Sequence, residues 1–151
     1  MAMDGMFKGG CFCDDVRYEA GGEPRQLTNC HCTICRGLSG APYVAWFTVP
    51  RACFRFVRGE PSCFRSSARG TRSFCGRCGS QLTFASDEAP HEIAVTTCTL
   101  DEPEALPPQD HTYLRSKLDW VASADGLPRH WRGREDNAAA GAQRDSEAIE
   151  R

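Results

Sequence analysis

An all-β domain is the fold this sequence predicts, and three observations predict it. Between residues 7 and 99, short runs rich in β-branched and aromatic side chains alternate with Gly, Pro and Ser breaks, the pattern of an antiparallel sheet protein. Only one early stretch, residues 32–38, reads as a helical turn. The hydrophobic fraction of 40% is low for a chain that must bury a core unaided, and ten cysteines offer metal as the second stabiliser.

Taken in order, the predicted strands cover residues 7–11, 16–20, 26–30, 43–48, 54–58, 63–66, 71–74, 81–85 and 92–98. Gly21-Gly22, Arg58-Gly59-Glu60-Pro61 and Ala68-Arg69-Gly70 separate several of them, because glycine and proline supply backbone angles that strands lack. This spacing suits a compact sandwich or barrel. The helical turn at 32–38 should end at Gly37 or Gly40. Residues 101–110, DEPEALPPQD, are acidic and proline-rich and predict an irregular surface loop, after which residues 111–120 resume with apolar side chains. From Arg134 onward Ile149 is the one bulky apolar residue, too little to pack, so residues 134–151 are expected to form a flexible tail. The 151 residues fit one domain, expected over residues 1–133.

Charge and composition exclude several classes of function. The net charge of −2 comes from 18 basic and 20 acidic residues, with the basic ones scattered, so no nucleic-acid surface is expected. No stretch is apolar enough to span a membrane, and the first residues lack the basic-then-apolar pattern of a secretory leader. A cytoplasmic, reducing setting is therefore expected, in which clustered cysteines bind metal or do chemistry.

The cysteines form three knots: Cys11-Phe12-Cys13, Cys30-His31-Cys32-Thr33-Ile34-Cys35 and Cys75-Gly76-Arg77-Cys78-Gly79; Cys53, Cys63 and Cys98 stand apart. Zinc takes four thiolates or imidazoles in a tetrahedron, so pairs of cysteines on tight turns each supply half a structural site. Cys75 and Cys78 are the standard half, with Gly76 and Gly79 letting the backbone curl round the ion. Cys11 and Cys13 are the best partner pair. The metal would then staple the first strand to a hairpin about sixty residues later, and its binding energy would contribute to folding. A redox C-x-x-C would need a βαβ context that the pattern lacks.

Cys30, Cys32 and Cys35 offer three ligands and no evident fourth. Three ligands leave zinc an open position, where a bound thiol or carbonyl is activated, and that is how catalytic sites differ from structural ones. His31 is an alternative fourth ligand, but neighbours along an extended chain point to opposite faces, which favours a role beside the ligands or facing substrate. Two other readings stay open: closure by Cys53, Cys63 or Cys98, or a zinc-free redox switch.

The motifs GGCFCDDVRYEA, NCHCTICRGLSGAPYVAWFTVP, FRFVRGEPSCFRSS, RSFCGRCGSQLTF, HTYLRSKLDW and DGLPRHWRGR, in this order over residues 8–134, resemble the glutathione-dependent formaldehyde-activating enzymes, also described as the centromere-protein-V-like or GFA domain. The resemblance implies an all-β "tent" fold with a structural zinc on Cys11, Cys13, Cys75 and Cys78 and a more labile, catalytic zinc on Cys30, Cys32 and Cys35. It implies a carbon–sulfur lyase-type activity, that of S-(hydroxymethyl)glutathione synthase, with glutathione and formaldehyde as small-molecule partners. Arg36, directly after the third ligand, is then the nearest cation for a glutathione carboxylate, and Ser39, Gly40 and the strand carrying Trp46 could line the site. Trp46 is expected in the core, and His111 is expected to be a structural hydrogen bonder outside the catalytic set. Two alternatives of other classes remain: a binding module with two structural metals, and a thiol-redox sensor.

Overall fold

The fold is built from ten strands, as seen in a computed structural model that describes residues 5–134. Residues 135–151, nearly all of the predicted tail, lie outside the described residues. The chain divides into two compact units, one of residues 5–27 and 46–107, the other of residues 28–45 and 108–134.

In the first unit β1 (Phe7–Gly10), β2 (Arg17–Ala20) and β5 (Phe54–Arg58) form an antiparallel three-stranded sheet in the order β1-β2-β5. Period-two alternation decides which side chains go inside: in β2, Tyr18 and Ala20 are buried while Arg17 and Glu19 face outward. Glu19 sits opposite Arg55 on β5 and accepts a 2.6 Å charged hydrogen bond from it, a cross-strand pair on the outer face. The second sheet of this unit runs β4-β9-β8-β7-β6, all antiparallel, through β4 (Val44–Pro50), β9 (Glu92–Thr96), β8 (Gln81–Ser86), β7 (Gly70–Phe74) and β6 (Ser62–Ser67). The core holds Phe7, Tyr18, Phe47, Leu82, Ile93 and Val95. Phe7 meets Phe47 edge to face, with ring centroids 6.1 Å apart. Trp46 is buried as expected, and the Arg72 guanidinium lies 5.5 Å from its ring. At the margin of this sheet β6 is mostly exposed and carries polar and charged residues, a composition that discourages further strand pairing.

The second unit contains the helical turn and a strand pair that departs from the antiparallel expectation. Residues 110–112 form β10 (Asp110–Thr112), which pairs in parallel with β3 (Arg25–Cys30), His111 standing beside Asn29 and Thr112 beside Cys30. Local pattern could not predict this strand. It is three residues long, follows a proline-rich stretch, and buries Asp110, His111 and Thr112, all polar. Their polar groups are satisfied by neighbours, as burial demands; the Thr112 hydroxyl, for example, pairs with that of Thr28 at 3.0 Å. The loop before β10 is irregular as predicted apart from one 3-10 turn at Pro103–Ala105, although its Leu106 is buried.

The helix α1 (Thr33–Ser39) begins where Cys32 caps it, its sulfur accepting the Cys35 amide at 3.3 Å. It ends at Gly40 rather than Gly37. Gly40 adopts the left-handed conformation, φ 68°, and returns its amide to the Arg36 carbonyl, which is the cap glycine permits most readily. Among the described residues no helix is long and apolar enough to cross a membrane.

Candidate metal and active site

Two groups of thiols come together. In the first unit, the sulfurs of Cys11, Cys13, Cys75 and Cys78 all lie within 4.8 Å of one another. Cys11 and Cys13 lie on the tight turn that follows β1, and Cys75 and Cys78 on the turn between β7 and β8. Gly79 has φ 80° and donates its amide to the Cys75 carbonyl at 2.8 Å, so the left-handed glycine closes the turn that aims both sulfurs. Gly76 is small for another reason: a Cβ there would stand 2.7 Å from the Ser62 hydroxyl. Outside the sulfurs, Arg77 bonds Asp15 at 3.0 Å and links the two cysteine turns at the surface.

This group fits a tetrahedral metal. Sulfurs about 2.3 Å from a zinc ion stand about 3.8 Å apart at tetrahedral angles, and the Cys11–Cys13 and Cys13–Cys75 separations are 3.6 and 3.7 Å. Backbone amides point at the sulfurs, Val16 N–H on Cys11 at 3.2 Å and Cys78 N–H on Cys75 at 3.5 Å. The thiols are electrostatically at odds. The Ser80 hydroxyl, with amide donors, pulls the Cys78 thiol down to about 5. Cys13 goes the other way: an amide contact at Asp15 lowers it, but burial and the neighbouring sulfurs prevail and push it up to about 12. A divalent cation bound there would remove that conflict by favouring the thiolate at every position.

The second group, Cys30, Cys32 and Cys35, lies in the second unit, its sulfurs likewise within 4.8 Å of one another. Cys30 ends β3, Cys32 caps α1 and Cys35 sits in its first turn, so a strand end and a helix start converge three side chains from six residues. The Cys32 and Cys35 sulfurs, followed by burial, push the Cys30 thiol well above its ordinary value. Cys32 is lowered by Cys30, but Cys35 and burial outweigh this and leave it at about 11. A bound cation would relieve this crowding by favouring the thiolates. Neither group includes Cys53, Cys63 or Cys98, all three of which are exposed, and His31 belongs to neither.

His31 is fully buried and hydrogen bonded to a second imidazole. Its Nε2 lies 2.9 Å from His111 Nδ1, and His111 Nε2 lies 2.8 Å from Asp125 Oδ2. Burial, then His111, Lys117 and Arg36, bring the His31 pKa down to about 4, so the ring is neutral at physiological pH. The Tyr43 ring packs 4.9 Å from it. His111 is thus a buried hydrogen bonder, as expected of it, and it is also the middle of a three-member chain. Asp125 and Tyr43 went unnoticed in the sequence. Asp125 there resembles an ordinary turn residue, and it does accept the Leu127 amide at 3.1 Å.

Arg36, half-buried on α1, donates its Nε to the His31 carbonyl at 3.3 Å, which anchors the guanidinium beside the cysteine turn. Lys117 gives its ammonium to the Leu118 and Val121 carbonyls at 2.9 and 2.8 Å. Ser39 is exposed and engaged in finishing the helix, donating to the Cys35 carbonyl at 2.6 Å.

A mainly β protein with one four-thiol and one three-thiol group able to hold metal is the class that fold and side chains define. Comparison with known proteins makes it narrower. Residues 6–116 match the model of the family described as glutathione-dependent formaldehyde-activating enzyme. The chain belongs to that family. It is 28% identical over 125 residues to a Halomonas elongata protein named "Putative glutathione-dependent formaldehyde-activating enzyme", covering 77% of this chain and 80% of that one. It is 29% identical over 79 residues to an uncharacterized lyase of Schizosaccharomyces pombe, covering 52% of this chain and 57% of the relative. A crystal structure of a Rhodobacter sphaeroides protein shares the fold, with a TM-score of 0.54 at 21% identity over 82% of this chain and 98% of that one.

Proposed function

We propose that the protein is a zinc-dependent carbon–sulfur lyase-type enzyme, similar to S-(hydroxymethyl)glutathione synthase, that joins the glutathione thiol to formaldehyde at Cys30, Cys32 and Cys35. The observation that carries the reading is the inequality of the two thiol groups, four sulfurs in one and three in the other. Four sulfurs complete a tetrahedron, as a structural site requires, and three leave one place for a ligand from solution. On this reading Cys11, Cys13, Cys75 and Cys78 hold a structural zinc, residues 1–133 act as one catalytic domain, and the cytoplasm supplies the thiol. A metal at the three-cysteine group supplies positive charge that favours a thiolate and polarises a carbonyl.

The chain's own residues do the rest. Cys30, Cys32 and Cys35 fix the reacting centre on a strand end and a helix start, elements more rigid than a free loop. Arg36, already anchored through Nε, retains its terminal nitrogens for a carboxylate of the tripeptide. The neutral His31 ring adds no competing positive charge. In the reaction a sulfur–carbon bond forms, the carbonyl π bond opens, and the thiol proton ends on the oxygen, so nothing is oxidised or reduced.

The test is formaldehyde consumption by purified protein with and without glutathione, followed together with zinc content. Glutathione-dependent consumption above the uncatalysed rate is expected; consumption indifferent to the protein contradicts the reading. Arg36→Ala should raise KM for glutathione about tenfold, the scale of one charge-assisted hydrogen bond, and change kcat little. An unchanged KM would remove Arg36 from substrate binding.

A further inference from the structure

β10 lies against the three-cysteine turn and is poorly equipped to stay there alone. It is three residues long, and its side chains, Asp110, His111 and Thr112, are all polar, so no apolar side chain of its own anchors it. Two hydrogen-bonded strands are marginal in water, and a third is usually needed. On one edge β10 pairs with β3, and just beyond that pairing the Thr112 carbonyl accepts the His31 amide at 3.0 Å. That amide belongs to the peptide joining Cys30 to His31, so the bond fixes the backbone between the ligands Cys30 and Cys32.

The third strand comes from residues 128–132, which run parallel to the other edge of β10 as a strap. His111 donates its amide to the Pro128 carbonyl and accepts the His130 amide, both at 2.8 Å. The Tyr113 amide then donates to the Arg132 carbonyl at 2.7 Å. A side-chain fork fastens the end of the strap. Asp110, 5% exposed, accepts Arg134 Nε on Oδ2 at 2.6 Å and Arg134 Nη2 on Oδ1 at 2.9 Å. Two parallel bonds from one guanidinium to one carboxylate are strong and fix orientation as well as distance. His130 Nε2, 3.4 Å from Oδ2, stands beyond ordinary hydrogen-bond length and cannot replace the fork.

We infer that Asp110 and Arg134 are positioning residues of the three-cysteine group: their fork holds the strap on β10, and β10 holds the Cys30–Cys32 backbone at the spacing a metal needs. A buried carboxylate that loses its partner keeps an uncompensated charge, which is strongly unfavourable. Asp110 is the first residue of β10, so it regains water by lifting that strand from β3. The His31 amide is then released, and the three sulfurs lose their common direction. Every residue in this chain of contacts lies in the second unit, whereas the four-sulfur group lies in the first, so the two metals should respond differently.

Full-length protein titrated with cobalt tests this, because cobalt accepts the ligands of zinc and its visible bands distinguish four-sulfur from three-sulfur coordination. The wild type should bind two equivalents. Arg134→Ala should release the three-sulfur cobalt to a chelator about ten- to a hundredfold faster, the scale of removing a residue that orients metal ligands. The four-sulfur cobalt should leave at the wild-type rate. Amide exchange read by NMR should accelerate at least about tenfold at His31, His111 and Tyr113 and stay unchanged at Phe47 and Val95 in the first unit. Adding Asp110→Asn to Arg134→Ala removes the stranded charge and should recover most of the cobalt retention. Loss of both metals together, exchange that rises in both units, or no change in Arg134→Ala overturns the inference, as does a double variant no better than the single. The metal at these cysteines rests on the function proposed above. A wild type that binds one cobalt only removes that site and this inference with it. A wild type that binds two and makes no adduct removes the reaction alone, and cobalt release from Arg134→Ala still decides the positioning role.

Discussion

Cys78→Ala is expected to yield a poorly folded protein, degraded by a trace of protease at least tenfold faster than the wild type and lacking a sharp thermal transition. The four-sulfur group joins turns 62 residues apart in the chain, Cys13 to Cys75. Structural zinc in small domains contributes on the order of 10 kcal/mol to folding, comparable with the whole stability of a domain, about 5–15 kcal/mol. The three remaining sulfurs no longer close the tetrahedron of a structural site. Limited proteolysis and calorimetry of the variant purified with added zinc check this. A variant as resistant and as thermally stable as the wild type would show that the four sulfurs do not staple the fold.

The second large effect is functional. Cys32→Ala should fold, keep one equivalent of zinc, lose the other, and lose glutathione-dependent formaldehyde consumption by at least a hundredfold, the scale of removing a group from a catalytic constellation. Cys32 is the middle of the three sulfurs and also caps α1 through the Cys35 amide. Losing a cap costs about 1 kcal/mol, so some fall in Tm is expected without unfolding. Paired with Cys78→Ala, it separates the two groups by readout, one acting on stability and the other on activity. Retention of both metals and full activity in Cys32→Ala would take the chemistry away from this group.

What the sequence made legible was whatever is encoded locally. The strand at residues 54–58 was found with its observed ends, because alternating Phe and Arg side chains are bounded by Gly59 and by the turn before Phe54. The thiol groups were legible because C-x-C and C-x-x-C each place two sulfurs on one tight turn. Joining Cys11 and Cys13 to Cys75 and Cys78 then needed only the pairing of two half-sites. β10 was not legible, since three polar residues become a strand only when the end of β3 lies beside them. The His31 chain was hidden for a similar reason. Its members come from positions 80 and 14 residues apart, and each alone looks like an ordinary buried histidine or turn aspartate.

The most direct test of the unequal groups is a crystal structure of the protein prepared with zinc, with the ions located by their anomalous scattering. Two sites are predicted: one ion about 2.3 Å from the sulfurs of Cys11, Cys13, Cys75 and Cys78, the other bound by Cys30, Cys32 and Cys35 with its fourth position filled by a water or a small thiol. A second ion closed by a fourth side chain of the protein, or no ion at those three sulfurs under saturating zinc, would contradict the account.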